Sequence, residues 1–202
     1  MTVPGRTEAA ALLVSLDPPA WFLRHSAAVA EIAAWLARRV DHDNQTVDIA
    51  LVDAAALLHD VDKIVPADDP ARALPHGDGS ADWLKRQGHA ELAGAVRAHP
   101  VTRLLDSTAF DRWLAVAEVE ARIVAYADKR AGQRLESMAA RFSSWERRYP
   151  DGWSAAVGAA VRARAAELEA DVCGRARISP AGVRRSPWAA EAIRRARRAD
   201  AA

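Results

Sequence analysis

The chain is short of the residues that interrupt helices. Of its 202 residues only ten are glycine and ten are proline, and alanine far outnumbers valine and isoleucine. That balance favours helix over sheet. No segment alternates apolar and polar residues with period two, and no internal repeat is visible, which argues against sheet-based and solenoid folds. There is one cysteine, Cys173. An intrachain disulfide and a thiolate metal cluster are therefore excluded, and a reducing compartment fits. No stretch approaches the roughly 20 consecutive apolar residues of a membrane span. The opening MTVPGRTEAA lacks the basic and then apolar layout of a signal peptide, so a cytoplasmic location is expected. The net charge of +1 selects no class of partner.

Half of the residues are hydrophobic, enough for a core in a chain of one-domain length. The charge is uneven. Residues 173–202 carry eight arginines against Glu191 and Asp200, a local charge of +6, which leaves −5 for the rest. This reading places a main domain over 1–172 and a basic, solvated C-terminal tail over 173–202. The competing use of such a tail is contact with nucleic acid. Among the seven tryptophans only Trp188 interleaves with the arginines, so a stacking platform for bases is not evident.

Apolar spacing and breakers predict a set of helices. The first covers 6–16 and stops before Asp17-Pro18-Pro19, because proline restricts the residue before it. A second runs over 20–40. The loop DHDNQT follows, with Asn44 or Thr46 as the expected N-cap of a third helix over 47–60. Residues 65–80, VPADDPARALPHGDGS, read as loop. Helices over 80–87 and 89–99 are separated at Gly88, and Pro100 stops the second. A shorter element near 101–114 precedes one long helix over 117–148. Tyr149-Pro150-Asp151-Gly152 breaks the chain before a helix over 153–172, and 187–199 suits a short basic helix. The fold class is all-α.

Several helices place ionisable residues on their apolar stripes. In the second, the stripe through Val29, Ile32, Leu36 and Val40 extends back to His25. In the long helix, Val124, Asp128, Ala131, Leu135, Met138, Phe142 and Trp145 recur by three and four. Leu92, Val96 and His99 share a face, and His59-Asp60 ends the nearly apolar run ALVDAAALL. Burying an unpaired carboxylate costs several kcal/mol. One core histidine is ordinarily just hydrogen-bonded, but several such groups on different helices are satisfied together by a shared divalent cation. Imidazole and carboxylate are ligands that iron, manganese and zinc accept. His89, beside Gly88, and His42, in a polar loop, read as structural or solvated.

The stretches RHSAAVAEIAAWLA, AAALLHDVDK and IVAYADKR resemble the HD superfamily of metal-dependent phosphohydrolases, across about residues 20–145. The family pattern of a His, a His-Asp pair and a distant Asp falls on His25, His59-Asp60 and Asp128. The resemblance implies an all-α HD-domain bundle, here with a C-terminal helical extension. LPHGDGSADWL and ELAGAVRAHP are similar to the segments that supply two further ligands in dinuclear members, which adds His76 and His99. By this resemblance Asp60 bridges two divalent ions, iron, manganese or similar. His25, His59 and Asp128 hold one ion, and His76 and His99 the other.

Many members have His-Asp-Ile-Gly-Lys or His-Asp-Leu-Gly-Lys. Lys63 matches that lysine, and Asp62 replaces the glycine. Asp62 is expected to orient a ligand or to pair with Lys63. Two divalent ions activate a water for attack on a phosphoester and neutralise the phosphoryl oxygens. Asp60 and Lys63 are the catalytic candidates, and Lys63, Lys129, Arg130 and Arg24 the candidates for phosphate contact. The layout is similar to the small bacterial branch that splits diadenosine tetraphosphate, so a nucleotide or dinucleotide polyphosphate is the expected substrate. Neither a membrane nor a nucleic acid is the expected partner, and a homodimer stays open. The alternatives are an HD-type mixed-valent di-iron oxygenase, which uses the same six ligands and a nearby lysine, and a non-catalytic nucleotide-binding HD module.

Overall fold

A computed structural model describes residues 3–41, 46–149 and 152–200. Its helices are α1 Arg6–Val14, α2 Ala20–Asp41, α3 Ile49–Leu58, α4 Asp78–Arg86, α5 Ala93–Arg97, α6 Ser107–Val116, α7 Val119–Lys129, α8 Met138–Arg148, α9 Ala155–Arg175 and α10 Ala189–Asp200. Short 3-10 turns link several of them. Among the described residues there is no strand, only one isolated bridge between Ala131 and Leu135. No described helix is long and apolar enough to cross a membrane.

The centre is made by α2, α3 and α7, which pack on one another. Their stripes contribute Phe22, Val29, Ile32, Leu36, Leu57, Leu58, Ile123 and Val124, all fully buried. Each such side chain contributes about 1.5–3 kcal/mol by leaving water. Alanine fills the closest approaches, and Ala28, Ala30, Ala33, Ala55, Ala56 and Ala127 are all fully buried as well. Small residues at these points let the three helix backbones, and with them their polar groups, come near one another.

Two elements differ from the sequence expectation. The helix expected over 117–148 is two helices. The chain leaves α7 at Lys129, turns through Arg130–Glu136, and re-enters helix at Met138 with Ser137 as N-cap, its hydroxyl accepting from Ala140 N. Glu136 N donates to Arg130 O at 2.7 Å, which closes the turn. The apolar spacing runs on through the break, so periodicity alone conceals it. The third helix is capped by Asp48, whose carboxylate accepts from Leu51 N at 2.9 Å, and not by Thr46. Asn44, the other expected cap, lies outside the described residues, as do His42, Pro150 and Asp151.

Residues 173–199 are also not a detached tail. Cys173 to Arg175 complete α9, and α10 packs against α1 and α2. Val183, Ala189, Ile193 and Ala196 are buried. Glu31 on α2 is 2% exposed, and its carboxylate is answered by this segment. Arg185 donates to it at 2.6 and 3.0 Å, and Trp188 N donates at 3.3 Å. The Arg6 guanidinium lies 4.6 Å from the Trp188 ring centroid while its Nε bonds Asp53 at 2.7 Å. Arg194 and Arg195 share Glu191, so part of the basic charge is spoken for within the chain.

Arg185→Ala is expected to destabilise the fold by about 1–3 kcal/mol, because it leaves a buried carboxylate short of donors. The check is a urea titration, where the midpoint should fall while the slope holds.

Candidate metal centre

Six polar side chains from five parts of the chain meet at one end of the central helices. His25 is in the second turn of α2. His59 is the C-cap of α3, and Asp60 follows at φ −106°, ψ 12°, where the chain leaves the helix. Asp128 is in the last turn of α7, on the face its stripe foretells. His99 ends the segment after α5, and His76 stands just before α4. His59, Asp60, His99 and Asp128 are buried, and His25 and His76 are partly so.

Asp60 is the hub. Its Oδ2 lies 3.5 Å from both His25 Nε2 and His59 Nε2. Its Oδ1 lies 3.2 Å from His76 Nε2 and 3.1 Å from His99 Nε2. Asp128 Oδ1 joins the first group, 3.5 Å from His25 Nε2 and 3.8 Å from His59 Nε2. Two donor groups thus share one carboxylate, one group on each oxygen.

The far side of each ring explains the orientation. His25 Nδ1 donates to Gly132 O at 2.8 Å, His59 Nδ1 to Ala56 O at 2.8 Å and His99 Nδ1 to Val96 O at 2.6 Å. A carbonyl only accepts, so each Nδ1 carries the proton and each Nε2 faces inward. His76 Nδ1 donates to Asp62 at 2.9 Å. Asp62 also accepts from Gly77 N at 2.8 Å and is itself fixed by Ser80, which accepts from Asp62 N at 3.1 Å. A carboxylate behind a histidine ligand is a recurrent device for aiming it and raising its basicity. Asp62, standing where a glycine is the familiar residue, therefore aims His76.

Two glycines allow this approach. Gly77 has φ 84°, and a Cβ there would lie 2.8 Å from Pro100 Cγ and 2.9 Å from Arg97 O. A side chain would force apart the segments that bring His76 to His99. At Gly79 a Cβ would lie 2.9 Å from Asp62 Cβ, so α4 can close on Asp62 only without one.

The inward nitrogens crowd one another: His25 Nε2 is 3.2 Å from His59 Nε2, and His76 Nε2 is 3.1 Å from His99 Nε2. Two lone pairs at that distance need a positive centre, either a proton or an ion. Burial disfavours a charged His25, but Asp128 and Asp60 outweigh it and raise its pKa to about 9. Burial likewise opposes charge on His76, and Asp60 and Asp62 raise it to about 9. His59, fully enclosed, is pushed down to about 3 by burial. Burial pushes the Asp60 carboxyl up, yet the imidazoles around it hold it well below the usual carboxylate range. Asp128 is depressed in the same way, against its burial, by His25 and Lys129. Two ionised buried carboxylates with four imidazoles fit divalent cations by donor type. Among the described residues the donor atoms fall into sets within 4.8 Å of one another: His25, His59 and Asp128; His59, Asp60 and His99; Asp60, Asp62 and His76.

The HD domain family matches residues 22–132, more than half of the chain and all six of these side chains. The chain belongs to the HD domain family. It is thereby of the metal-dependent phosphohydrolase type. No curated protein and no solved structure matches the chain.

The HD residues open into a cleft of about 540 Å³. Lys63 reaches it from the 3-10 turn after Asp60, with Nζ 2.7 Å from Asp60 Oδ2. Burial lowers its pKa, but Asp60 more than compensates and keeps it charged. Two other expected phosphate contacts are misplaced. Lys129 turns away from the cleft into the protein, where Nζ donates to His99 O at 2.7 Å and Ala125 O at 3.0 Å. Burial pulls its pKa down to about 8, with Asp128 acting the other way. Arg130 is spent on Glu136 O, Tyr126 Oη, Glu169 and Pro180 O. Both follow Asp128, but of α7 it is Asp128 that lines the cleft. Arg24 is exposed and bonded to Gln133, which lines the cleft. His89 is buried at the start of the turn Ala90–Leu92, away from the cleft.

The cations that do line the cleft besides Lys63 are Arg134, Arg141 and Arg148. Arg141 is 8% exposed, and its buried Nε has no hydrogen-bond partner among the described residues. Its guanidinium lies 4.6 Å from the Trp145 ring centroid. The sequence carries a sign of it: Arg141 follows Met138 by three and precedes Trp145 by four, a charge on an apolar stripe, the same signal that marks His25 and Asp128.

Asp60→Ala should abolish tight binding of Mn²⁺ or Fe²⁺, measured by elemental analysis after gel filtration. The wild type should gain thermal stability on metal addition and lose it to a chelator, and the variant should respond to neither.

Proposed function

We propose that the protein hydrolyses a phosphoester of a nucleotide or dinucleotide polyphosphate at a centre of two divalent ions. His25, His59, Asp128 and Asp60 Oδ2 would hold one ion, and His76, His99 and Asp60 Oδ1 the other. The observation that carries this reading is the division of the Asp60 carboxylate between two donor groups, at 3.5 Å on one oxygen and 3.1–3.2 Å on the other. When bound, such ions supply hydroxide from water near neutral pH and draw charge from the phosphoryl oxygens.

The chain's own residues position the substrate. Lys63 Nζ lies over the centre and offers two protons beyond the one given to Asp60, enough to hold a phosphoryl oxygen. Arg141, on α8, lines the same cleft as Lys63, so a phosphate there meets cations from two separate elements. Arg134 and Arg148 suit the further phosphates of a polyphosphate. Gly132 O, Ala56 O and Val96 O keep the imidazoles in the tautomer that leaves Nε2 free, and Asp62 does so for His76.

The deciding experiment is a phosphate-release screen of the metal-loaded protein over mono-, di- and polyphosphate nucleotides and dinucleotide polyphosphates, with Asp60→Ala beside it. Turnover by the wild type alone is the expected result. Dioxygen uptake with an organic substrate and no phosphate release would instead mark the di-iron oxygenase, and nucleotide binding without either would mark the non-catalytic module. Asp62→Ala should weaken the ion at His76 and His99 by about 10- to 100-fold while sparing the other, so the metal content should fall from two toward one. Arg141→Ala should lower kcat/KM by roughly 10- to 100-fold, the range for a lost charge-assisted hydrogen bond.

A further inference from the structure

Beside the cleft lies a second cavity of about 510 Å³, and the two share the lining residues Val101, Thr102, Trp145 and Tyr149. Small-molecule sites occupy roughly 300–1,000 Å³. Apart from Val101 and Thr102, this cavity is built from α8, α9 and the chain between them, all beyond the matched residues 22–132. We infer that it holds a planar heteroaromatic ring, the nucleobase of the substrate, while the phosphates lie over the six ligands. The inference rests on the phosphohydrolase reading and names the organic part of its substrate.

Three observations carry it. The first is adjacency. Trp145 lines both cavities, so a group seated against it lies beside the cleft. The second is the chemistry of the lining. Trp145 and Trp153 line it, and indole is a side chain on which bases stack irrespective of sequence. Thr102 and Ser154, each with a hydroxyl, also line it. Ser154 Oγ already accepts from Val157 N, which leaves its proton to donate to a ring nitrogen or carbonyl. An aliphatic chain would make no use of such donors. The third is the way the space is kept open. Ala155, Gly158 and Ala159 turn a smooth face of α9 toward it, and a Cβ added at Gly158 would meet nothing within 4 Å. Glycine is disfavoured inside a helix, yet α9 has it at the point where a larger side chain would enter the cavity.

The test uses Mn²⁺-loaded protein and three non-hydrolysable probes in calorimetric titration: α,β-methylene-ADP, methylenediphosphonate, and the hexyl ester of methylenediphosphonate. The first two share the phosphonate unit and differ by the nucleoside. The wild type should prefer α,β-methylene-ADP to both others by about tenfold or more, the scale of base–aromatic stacking. Gly158→Phe, which fills the cavity, and Trp153→Ala, which removes an indole, should each bring α,β-methylene-ADP to within about threefold of methylenediphosphonate. Circular dichroism establishes that both variants are folded. The inference is overturned if folded Gly158→Phe keeps the wild-type preference, if the hexyl ester binds as well as the nucleotide, or if the wild type shows no preference, including no binding of any probe. Phosphate release is measured separately. A wild type with the preference but no turnover defeats the hydrolase reading alone, and turnover without the preference defeats the cavity alone.

Discussion

The protein is organised around one buried carboxylate whose two oxygens face different neighbours. Asp60 is 2% exposed and has four imidazole nitrogens within 3.1–3.5 Å, two to each oxygen. A lone ionised carboxylate in such a place would oppose folding strongly. Here the surrounding nitrogens hold it ionised, and their crowding calls for positive charge between them. The requirement for a cation and the shape of the site are therefore the same fact. Helices α2, α3 and α7 pack closely through alanine so that His25, His59-Asp60 and Asp128 arrive together.

Around that centre, each histidine is aimed by a group on the far side of its ring. Three of these are backbone carbonyls. Two, Ala56 O and Val96 O, belong to residues three before the histidine they orient, so a helical end supplies its own acceptor. The third, Gly132 O, comes from the turn that separates α7 from α8. That break therefore does more than reverse the chain, since an uninterrupted helix would put no carbonyl opposite His25. Asp62 is the exception among the orienting groups, a charged one, and it works because Gly77 and Gly79 let the His76 segment close over it.

The segments beyond the HD domain match give the site its surroundings. Helix α8 brings Arg141 and Trp145 to the cleft, and α9 lies behind them. Further on, the arginine-rich end is held to α2 through Arg185 and Glu31, and α10 packs on α1. Its charge resembles that of a solvated tail because arginine content does not reveal partners. Ile193 and Ala196, three residues apart on α10, are the apolar contacts that dock it.

Much of the molecule is legible in the amino-acid sequence. The all-α class, most helices to within a few residues, and the inward-facing His25, His99 and Asp128 follow from helical periodicity, which fixes the face of a helix on which a residue lies, while His59 and Asp60 are marked by closing a nearly apolar run. His76, in a loop with no period, is marked only by the family resemblance. Periodicity is also silent on which faces meet. It sets Lys129 and Arg130 beside Asp128 but does not tell that they point into the protein. It runs straight through the turn at 130–136, and it marks Arg141 as a charge on an apolar stripe without telling what that charge faces. Local spacing determined which polar groups lie on the inward faces of their helices. Only packing decided which donors share Asp60, what aims them, and which cations face the cleft, because those are distances between helices far apart in sequence, set by how closely their small residues allow them to approach.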